Sequence, residues 1–317
     1  MEAENQTQIK EFILLGISDN PDLWMVHFLL FLILYIVTLL GNISIISLIV
    51  TEPQLHTPMY FFLSNLSLVD MCFTSVTVPK MLINLITRKK TIFFSSCIAQ
   101  MFFLNSCGST ENFLLSVMAY DRYVAICNPL RYTVMMTRNV CVLFAAASWI
   151  TAFLHSLLYA FIVSQLNFCD INTIHHFFCE LPPLLKLSCS DISAIELLLF
   201  TEGMAVGLGP FLCIVISYTH IIIAILKIHS KEGKYKVFST CSSHLIVVNL
   251  YFGSVTFTYL RPNSNYSEDK DRVVTVFYAV VAPMLNPFIY SLRNNDIKVT
   301  VRKVMHAIKT RQEMKRI

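Results

Sequence analysis

VHFLLFLILYIVTLLGNISIISLIV (Val26–Val50) runs for 25 residues without an acidic residue, a lysine or an arginine. A helix needs ~20 mostly apolar residues to cross ~30 Å of hydrocarbon, so this block is long enough. It is hydrophobic on all faces, whereas a helix on the surface of a soluble domain carries its apolar residues as one stripe. Its solvent is therefore lipid. The rest of the chain is of the same kind. Of 317 residues, 55% are hydrophobic and 14% charged, and the mean hydropathy is +0.62, too apolar for an ordinary water-soluble domain. The net charge of +4 is small, and the basic residues are not interleaved with aromatics, which argues against a nucleic-acid partner. The sequence predicts a membrane protein.

Six further segments meet the same length test, giving seven spans at about 24–50, 58–86, 94–127, 140–163, 195–227, 238–260 and 272–292. Each break carries turn or charge signals: Pro53 through Pro58, Arg88-Lys89-Lys90, Asn128-Pro129, Ser230 to Lys236, and Arg261-Pro262-Asn263. Proline drives the residue before it out of the helical region, so Asn128 ends the third span. The expected fold is an all-α membrane protein, a seven-transmembrane helix bundle with a short amphipathic helix after the last span. One domain covers 1–317, with 1–23 as extracellular N-terminus, 24–292 as bundle and 293–317 as cytoplasmic tail. A transporter would show internal repeats and interrupted helices, and seven spans do not divide into halves. A membrane enzyme would need a nucleophile–base or metal constellation, and no HExxH or GxSxG string occurs.

Charge sets the orientation. Residues 1–23 hold five acids and one lysine, and they contain the sequon Asn5-Gln6-Thr7, which places them outside with Asn5 glycosylated. Asn265-Tyr266-Ser267 is a weaker acceptor because it lies close to a span end. The tail carries Arg293, Lys298, Arg302, Lys303, Lys309, Arg311, Lys315 and Arg316, and the loop before the sixth span carries Lys227, Lys231, Lys234 and Lys236. Both belong in the cytoplasm. Arg88, Lys89 and Lys90 run against this pattern but are outnumbered. The polar, acidic start lacks the basic and apolar regions of a cleavable signal peptide, so the first span is expected to serve as its own insertion signal.

Ten cysteines divide by position. Cys72, Cys107, Cys127, Cys141, Cys213 and Cys241 lie within or at the ends of spans and read as reduced packing residues. Cys97, Cys169, Cys179 and Cys189 fall on the oxidising side, where disulfides persist, and four cysteines allow three pairings. Ionisable groups inside the spans are few. Asp70 lies mid-way along the second and Glu111 near the middle of the third, and an intramembrane acid costs about 2.5–3.5 kcal/mol on insertion scales, so both should face the bundle interior. With Asn42, Asn286 and Asn112 they could make one polar cluster, read either as a cation or water site tied to a switch or as a static hydrogen-bond network. From Cys97 to Arg122 is 25 residues, or ~38 Å of helix, which puts Cys97 at one membrane face and Asp121-Arg122 at the other.

Alone, Asp121-Arg122-Tyr123 is a weak motif. In the longer string Met118-Ala119-Tyr120-Asp121-Arg122-Tyr123-Val124-Ala125-Ile126-Cys127, followed by Asn128-Pro129-Leu130-Arg131-Tyr132, it closely resembles the signature of odorant (olfactory) receptors, class II-like, a branch of the rhodopsin-like G-protein-coupled receptors. Pro58 to Ser67 (PMYFFLSNLS) resembles that family's second-span motif, Lys236 to Leu245 (KVFSTCSSHL) its sixth-span entrance, and Pro283 to Asn294 (PMLNPFIYSLRN) its seventh-span end. The resemblance covers essentially the whole chain, in order. Asn128 stands where histidine is common, Val237 where alanine is common, and the sixth-span Phe-Tyr-Gly motif appears as Tyr251-Phe252-Gly253.

The resemblance implies a receptor, not an enzyme, that binds a small and volatile molecule in the outer half of the bundle and activates a stimulatory, olfactory-type G protein at the plasma membrane to raise cyclic AMP. Arg122 resembles the residue released on activation, with Asp121 restraining it and Tyr123, Tyr218 and Tyr290 beside it. Asn42, Asp70, Glu111 and Asn286 resemble the polar core, where a sodium ion is one reading. Cys97–Cys179 and Cys169–Cys189 are the implied disulfides. His176 and Glu180 resemble part of a proposed metal motif and suit copper or zinc, but Cys179 between them is expected in a disulfide, so no metal site and no cofactor is assigned. The pocket is expected between the third to seventh spans. Helical spacing puts Leu104, Asn105, Gly108, Ser109 and Asn112 on one face of the third. Facing candidates are His155 with Tyr159, Glu202, Val206, Phe252, Val255, Tyr259 and Ala279. Ordinary bundle packing is the competing reading for most of these. Glu202 and Tyr259 are the stronger candidates, because a polar group at that depth wants a partner or a water-filled cavity.

Overall fold

The computed structural model describes residues 10–17, 21–168, 172–259, 268–293, 297–303 and 306. Seven long helices fall at the seven expected spans, except that the sixth begins at Lys231, inside the break expected at Ser230 to Lys236 and about two turns before the expected start at 238. They are α1 (Trp24–Thr51), α2 (Pro58–Thr87), α3 (Phe94–Cys127), α4 (Arg138–Ser164) and α5, which runs as Ser193–Gly203 and Gly209–Lys227 around a π-helical turn at Met204–Leu208. Then come α6 (Lys231–Tyr259) and α7, which runs as Glu268–Val276 and Ala282–Arg293 around a second π-helical turn at Phe277–Val281. Residues 297–303 form the helix expected after the last span.

Local chemistry accounts for the ends. Pro53 and Pro58 bracket the first connection, Arg88 closes α2 in the left-handed conformation (φ 58°), and the Thr137 hydroxyl accepts from the Val140 amide to cap α4. Packing sorts the helices. α1 turns Met25, Leu29, Ile33, Leu40 and Val50 outward, where only lipid could solvate them, and buries Phe31, Thr38, Asn42, Ile45 and Ile49. α3 is wrapped by α2, α4, α5 and α6 and buries polar side chains along most of its length. Five of the helices are apolar and long enough to cross a membrane by composition alone. Among the described residues α3 and α6 do not meet that test; α3 carries Glu111, Asp121 and Arg122, and α6 opens on Lys231, Glu232, Lys234 and Lys236.

One element adds to the all-helical expectation. Glu11–Leu14 forms strand β1, pairing antiparallel with β2 (Thr91–Phe93) and parallel with β3 (Thr173–Ile174). Phe12, Leu14, Ile92 and Ile174 are buried beneath this sheet, over the start of α3. Burial alternates along β1, as the two-residue period of a strand requires. The sheet marks one end of the bundle, and Asp121-Arg122 lies near the other.

Candidate functional site

At the sheet end, a disulfide joins Cys97 at the start of α3 to Cys179, with the two Cα atoms 5.4 Å apart. Gln100, one turn along, accepts from the Cys179 amide (2.9 Å) and donates to the Val76 carbonyl (2.9 Å), so the loop, α3 and α2 are tied at one point. Cys189 is also disulfide-bonded. Its expected partner Cys169 lies outside the described residues, as do Asn5 and Asn265, while Phe168 and Ser188 pair across the same loop.

Within the same loop, His176 is held by hydrogen bonds. The Phe178 amide donates to His176 Nδ1 (3.4 Å), which leaves Nε2 to carry the proton and donate to the Thr275 hydroxyl at 3.3 Å. Burial, then the nearby Arg272 charge, pushes the His176 imidazole down to about 3, so it is a neutral structural group with no free lone pair. Glu180 accepts from the Tyr278 hydroxyl and so pins the loop to α7 at its π-helical turn. Among the described residues no cluster of metal-ligating side chains occurs.

Deeper on the same side, the residues of the α3 stripe meet α5 and α6. Leu104, Ser109 and Asn112 are buried, and Asn105 and Gly108 half-buried. Asn112 Nδ2 donates to the Val206 carbonyl (2.7 Å), a contact made where the π-helical turn bulges α5. The Tyr251 hydroxyl donates to the Gly108 carbonyl (2.8 Å), while Phe252 turns to Phe211 of α5 with ring centroids 5.0 Å apart. Tyr251, absent from the lining set read from sequence, is thus the aromatic that reaches α3. His155 lies 3.6 Å from Glu202, within ion-pair range but too long for a hydrogen bond, and its ring packs edge-on against Tyr159. Val255 is half-buried on α6, and Ala279 is fully buried in the π-helical turn of α7. The Tyr259 side chain lies outside the described residues. Several buried polar atoms of this seam have no hydrogen-bond partner among the described residues: Asn105 Nδ2, Asn112 Oδ1, Ser156 Oγ and both ring nitrogens of His155.

Midway along the bundle, Asn286 Nδ2 donates to both oxygens of Asp70 (3.2 and 3.0 Å), and Asn42 Nδ2 donates to the Pro283 carbonyl (3.3 Å). The buried Glu111 carboxylate is within electrostatic reach of Asp70. Near the far end, Asp121 accepts from the Tyr132 hydroxyl (2.8 Å) and pairs with Arg122 (3.5 Å). Burial, then the Asp121 charge, pushes the Tyr132 phenol up, so it remains a donor. Tyr123 packs against the His220 ring, and the buried Tyr290 hydroxyl has no hydrogen-bond partner among the described residues. Tyr218 bonds His244 Nδ1 (2.8 Å), and His244 Nε2 bonds the Leu115 carbonyl (3.0 Å). A carbonyl can only accept, so Nε2 carries the proton, and in the neutral ring Nδ1 accepts from Tyr218. His244 therefore clamps α6 to both α3 and α5, a role the sequence reading did not give it.

A signature string at the end of α3, a loop tied to its start by a disulfide and a buried polar centre between them are the parts the motif resemblance called for. The family model described as olfactory receptor matches residues 31–308. The chain belongs to the olfactory receptor family. It is 53% identical over 305 residues to olfactory receptor 1f45 of Rattus norvegicus, covering 96% of this chain and 97% of that one. It is 50% identical over 310 residues to the human olfactory receptor 1L3 (98% and 95% covered) and 52% identical over 309 residues to the human olfactory receptor 1L4 (97% and 99%). This olfactory receptor is accordingly a multi-pass membrane protein of the G-protein-coupled class, a signalling receptor and not an enzyme.

Proposed function

We propose that this olfactory receptor binds a small volatile molecule between α3, α4, α5 and α6 in the half of the bundle nearer the sheet. Binding activates a stimulatory, olfactory-type G protein at the opposite end and raises cyclic AMP. The observation that supports the pocket is the set of buried polar atoms with no hydrogen-bond partner among the described residues, on helices that would line it: Asn105 and Asn112 on α3 and His155 on α4. A buried polar group left unpaired costs about 1–3 kcal/mol, and a ligand hydroxyl or carbonyl entering the seam would recover it. The apolar neighbours Leu104, Val206, Phe252 and Val255 suit the rest of a modest-sized volatile.

In this reading the sheet end faces outward. The acidic start of the chain and the Cys97–Cys179 bond support that side, and the basic tail supports the cytoplasm for the other. The Asp121–Arg122 pair and the His244 clamp hold the signalling end shut. Two carboxylates in one low-dielectric site repel, and a sodium ion between Asp70 and Glu111 would relieve that cost in the resting state. The test is a screen of volatiles against a cyclic-nucleotide reporter, repeated on Asn105→Leu and His155→Leu. Each substitution should weaken polar agonists by about two- to tenfold, the cost of one lost hydrogen bond, at equal surface expression. Unchanged potency in both for every agonist found would overturn this pocket.

A further inference from the structure

Across the bundle from the candidate pocket, a groove of about 430 Å³ opens between α1, α7 and the helix 297–303. That volume lies within the ~300–1,000 Å³ range of small-molecule sites. At the deep end Gly41 meets Pro287 so closely that a Cβ at Gly41 would stand 3.2 Å from the proline Cγ, which closes the groove toward the membrane interior. At the shallow end Ile297 and Val301 of the last helix form its floor.

The walls look polar by composition, with Ser44, Ser47, Thr51 and Ser291 among the lining residues. Their bonding says otherwise. Ser44 Oγ donates to the Leu40 carbonyl, Thr51 Oγ1 to the Ser47 carbonyl and Ser291 Oγ to the Phe288 carbonyl. These hydroxyls are turned back onto their own helices, and the small side chains contribute space instead of hydrogen bonds. What remains is an apolar slot fit for hydrocarbon. At its mouth, the helix 297–303 carries Lys298, Arg302 and Lys303, and Lys303 also reaches Gln54 (3.5 Å). Among the described residues, Glu52, which accepts from Gln54, offsets one of these charges and leaves the mouth net positive.

We infer that this groove is a binding site for an anionic phospholipid of the surrounding bilayer, with one acyl chain in the slot between α1 and α7 and the headgroup at Lys298 and Arg302. Juxtamembrane cations next to an apolar cleft are the combination that distinguishes an anionic lipid from a neutral one. The inference does not depend on the odorant pocket, since neither set of residues contributes to the other.

The full-length receptor in nanodiscs of equal phosphatidylserine and phosphatidylcholine, with native mass spectrometry counting the retained lipids, provides the test. Phosphatidylserine should be retained roughly 25-fold over phosphatidylcholine, about fivefold for each of the two cations. Lys298→Gln and Arg302→Gln should each lower that preference roughly fivefold. Ser47→Leu with Ser291→Leu, which fills the slot, should remove retention of both lipids, with thermal unfolding in neutral discs checking that the variant is folded. If the filled variant fails to fold, the two charge variants decide alone. Equal retention of the two lipids by the unaltered receptor, an undiminished preference in the double charge variant, or preferential retention of an added sterol would overturn the site.

Discussion

Helices α1 and α3 both cross the full bundle, yet α1 buries five of its 28 residues and α3 seventeen of its 34. The buried residues of α1 include two polar ones, Thr38 and Asn42. Those of α3 include Gln100, Thr110, Glu111, Asn112, Asp121 and Arg122. The difference follows from what solvates each helix. Lipid solvates most of α1, so hydrocarbon side chains can point almost anywhere. Other helices solvate α3, so it can carry polar groups that find partners on its neighbours: Val76 and Cys179 for Gln100, Val206 for Asn112, Tyr132 for Asp121. In this receptor a helix that composition alone does not mark as a membrane span is the one around which the others are organised.

Four substitutions would break or sharpen that contrast. Arg122→Ala is expected to have the largest effect, abolishing cyclic-AMP output at equal surface expression, and a retained response would show that the polar end of α3 is structural only. Leu114→Ala deletes a fully buried α3 side chain. It should cost about 2–5 kcal/mol, read as a lowered thermal midpoint of purified receptor. His244→Phe removes the clamp between α6, α5 and α3 and takes away the bonds to the Leu115 carbonyl and the Tyr218 hydroxyl. Losing two hydrogen bonds of ~1 kcal/mol each should raise ligand-free signalling by about tenfold or more. Basal output unchanged at matched expression would mean that the clamp is equally strong in both states. On α1, Ile33 is 58% exposed, and Ile33→Ala should change the thermal midpoint by less than the equivalent of ~0.5 kcal/mol. A loss as large as that of Leu114→Ala would mean that this face of α1 packs against another protein and not lipid.

How much of this was legible beforehand depends on the range over which each feature is decided. Four of the helices, α1, α2, α3 and α5, end within a few residues of the places that Pro53, Arg88, Asn128 and Ser230 mark in the sequence, because helix ends and hydropathy are local properties. The Cys97–Cys179 bond agrees with the pairing that the motif resemblance implied. The strand at Glu11–Leu14 was not legible. Four residues carry too short an alternation, and their partners stand about 80 and 160 positions away. Nor was the exchange of roles between Tyr251 and Phe252. Neighbours on a helix point ~100° apart, so which of them faces α3 depends on the rotation of α6, and that is set by packing.

The chain by itself determined that it lives in a membrane, how many times it crosses, where α1, α2, α3 and α5 stop and which family it belongs to. These follow from the cost of placing charge and open backbone in hydrocarbon, and from motifs written in consecutive residues. Only the tertiary structure decided that His176 spends both ring nitrogens on Phe178 and Thr275, and that π-helical turns interrupt α5 and α7. It also decided that the serines and Thr51 between α1 and α7 line an apolar groove. A polar side chain inside a bilayer must find a partner, but the sequence states only the need. The partner is chosen by which helices pack together and by how each is turned.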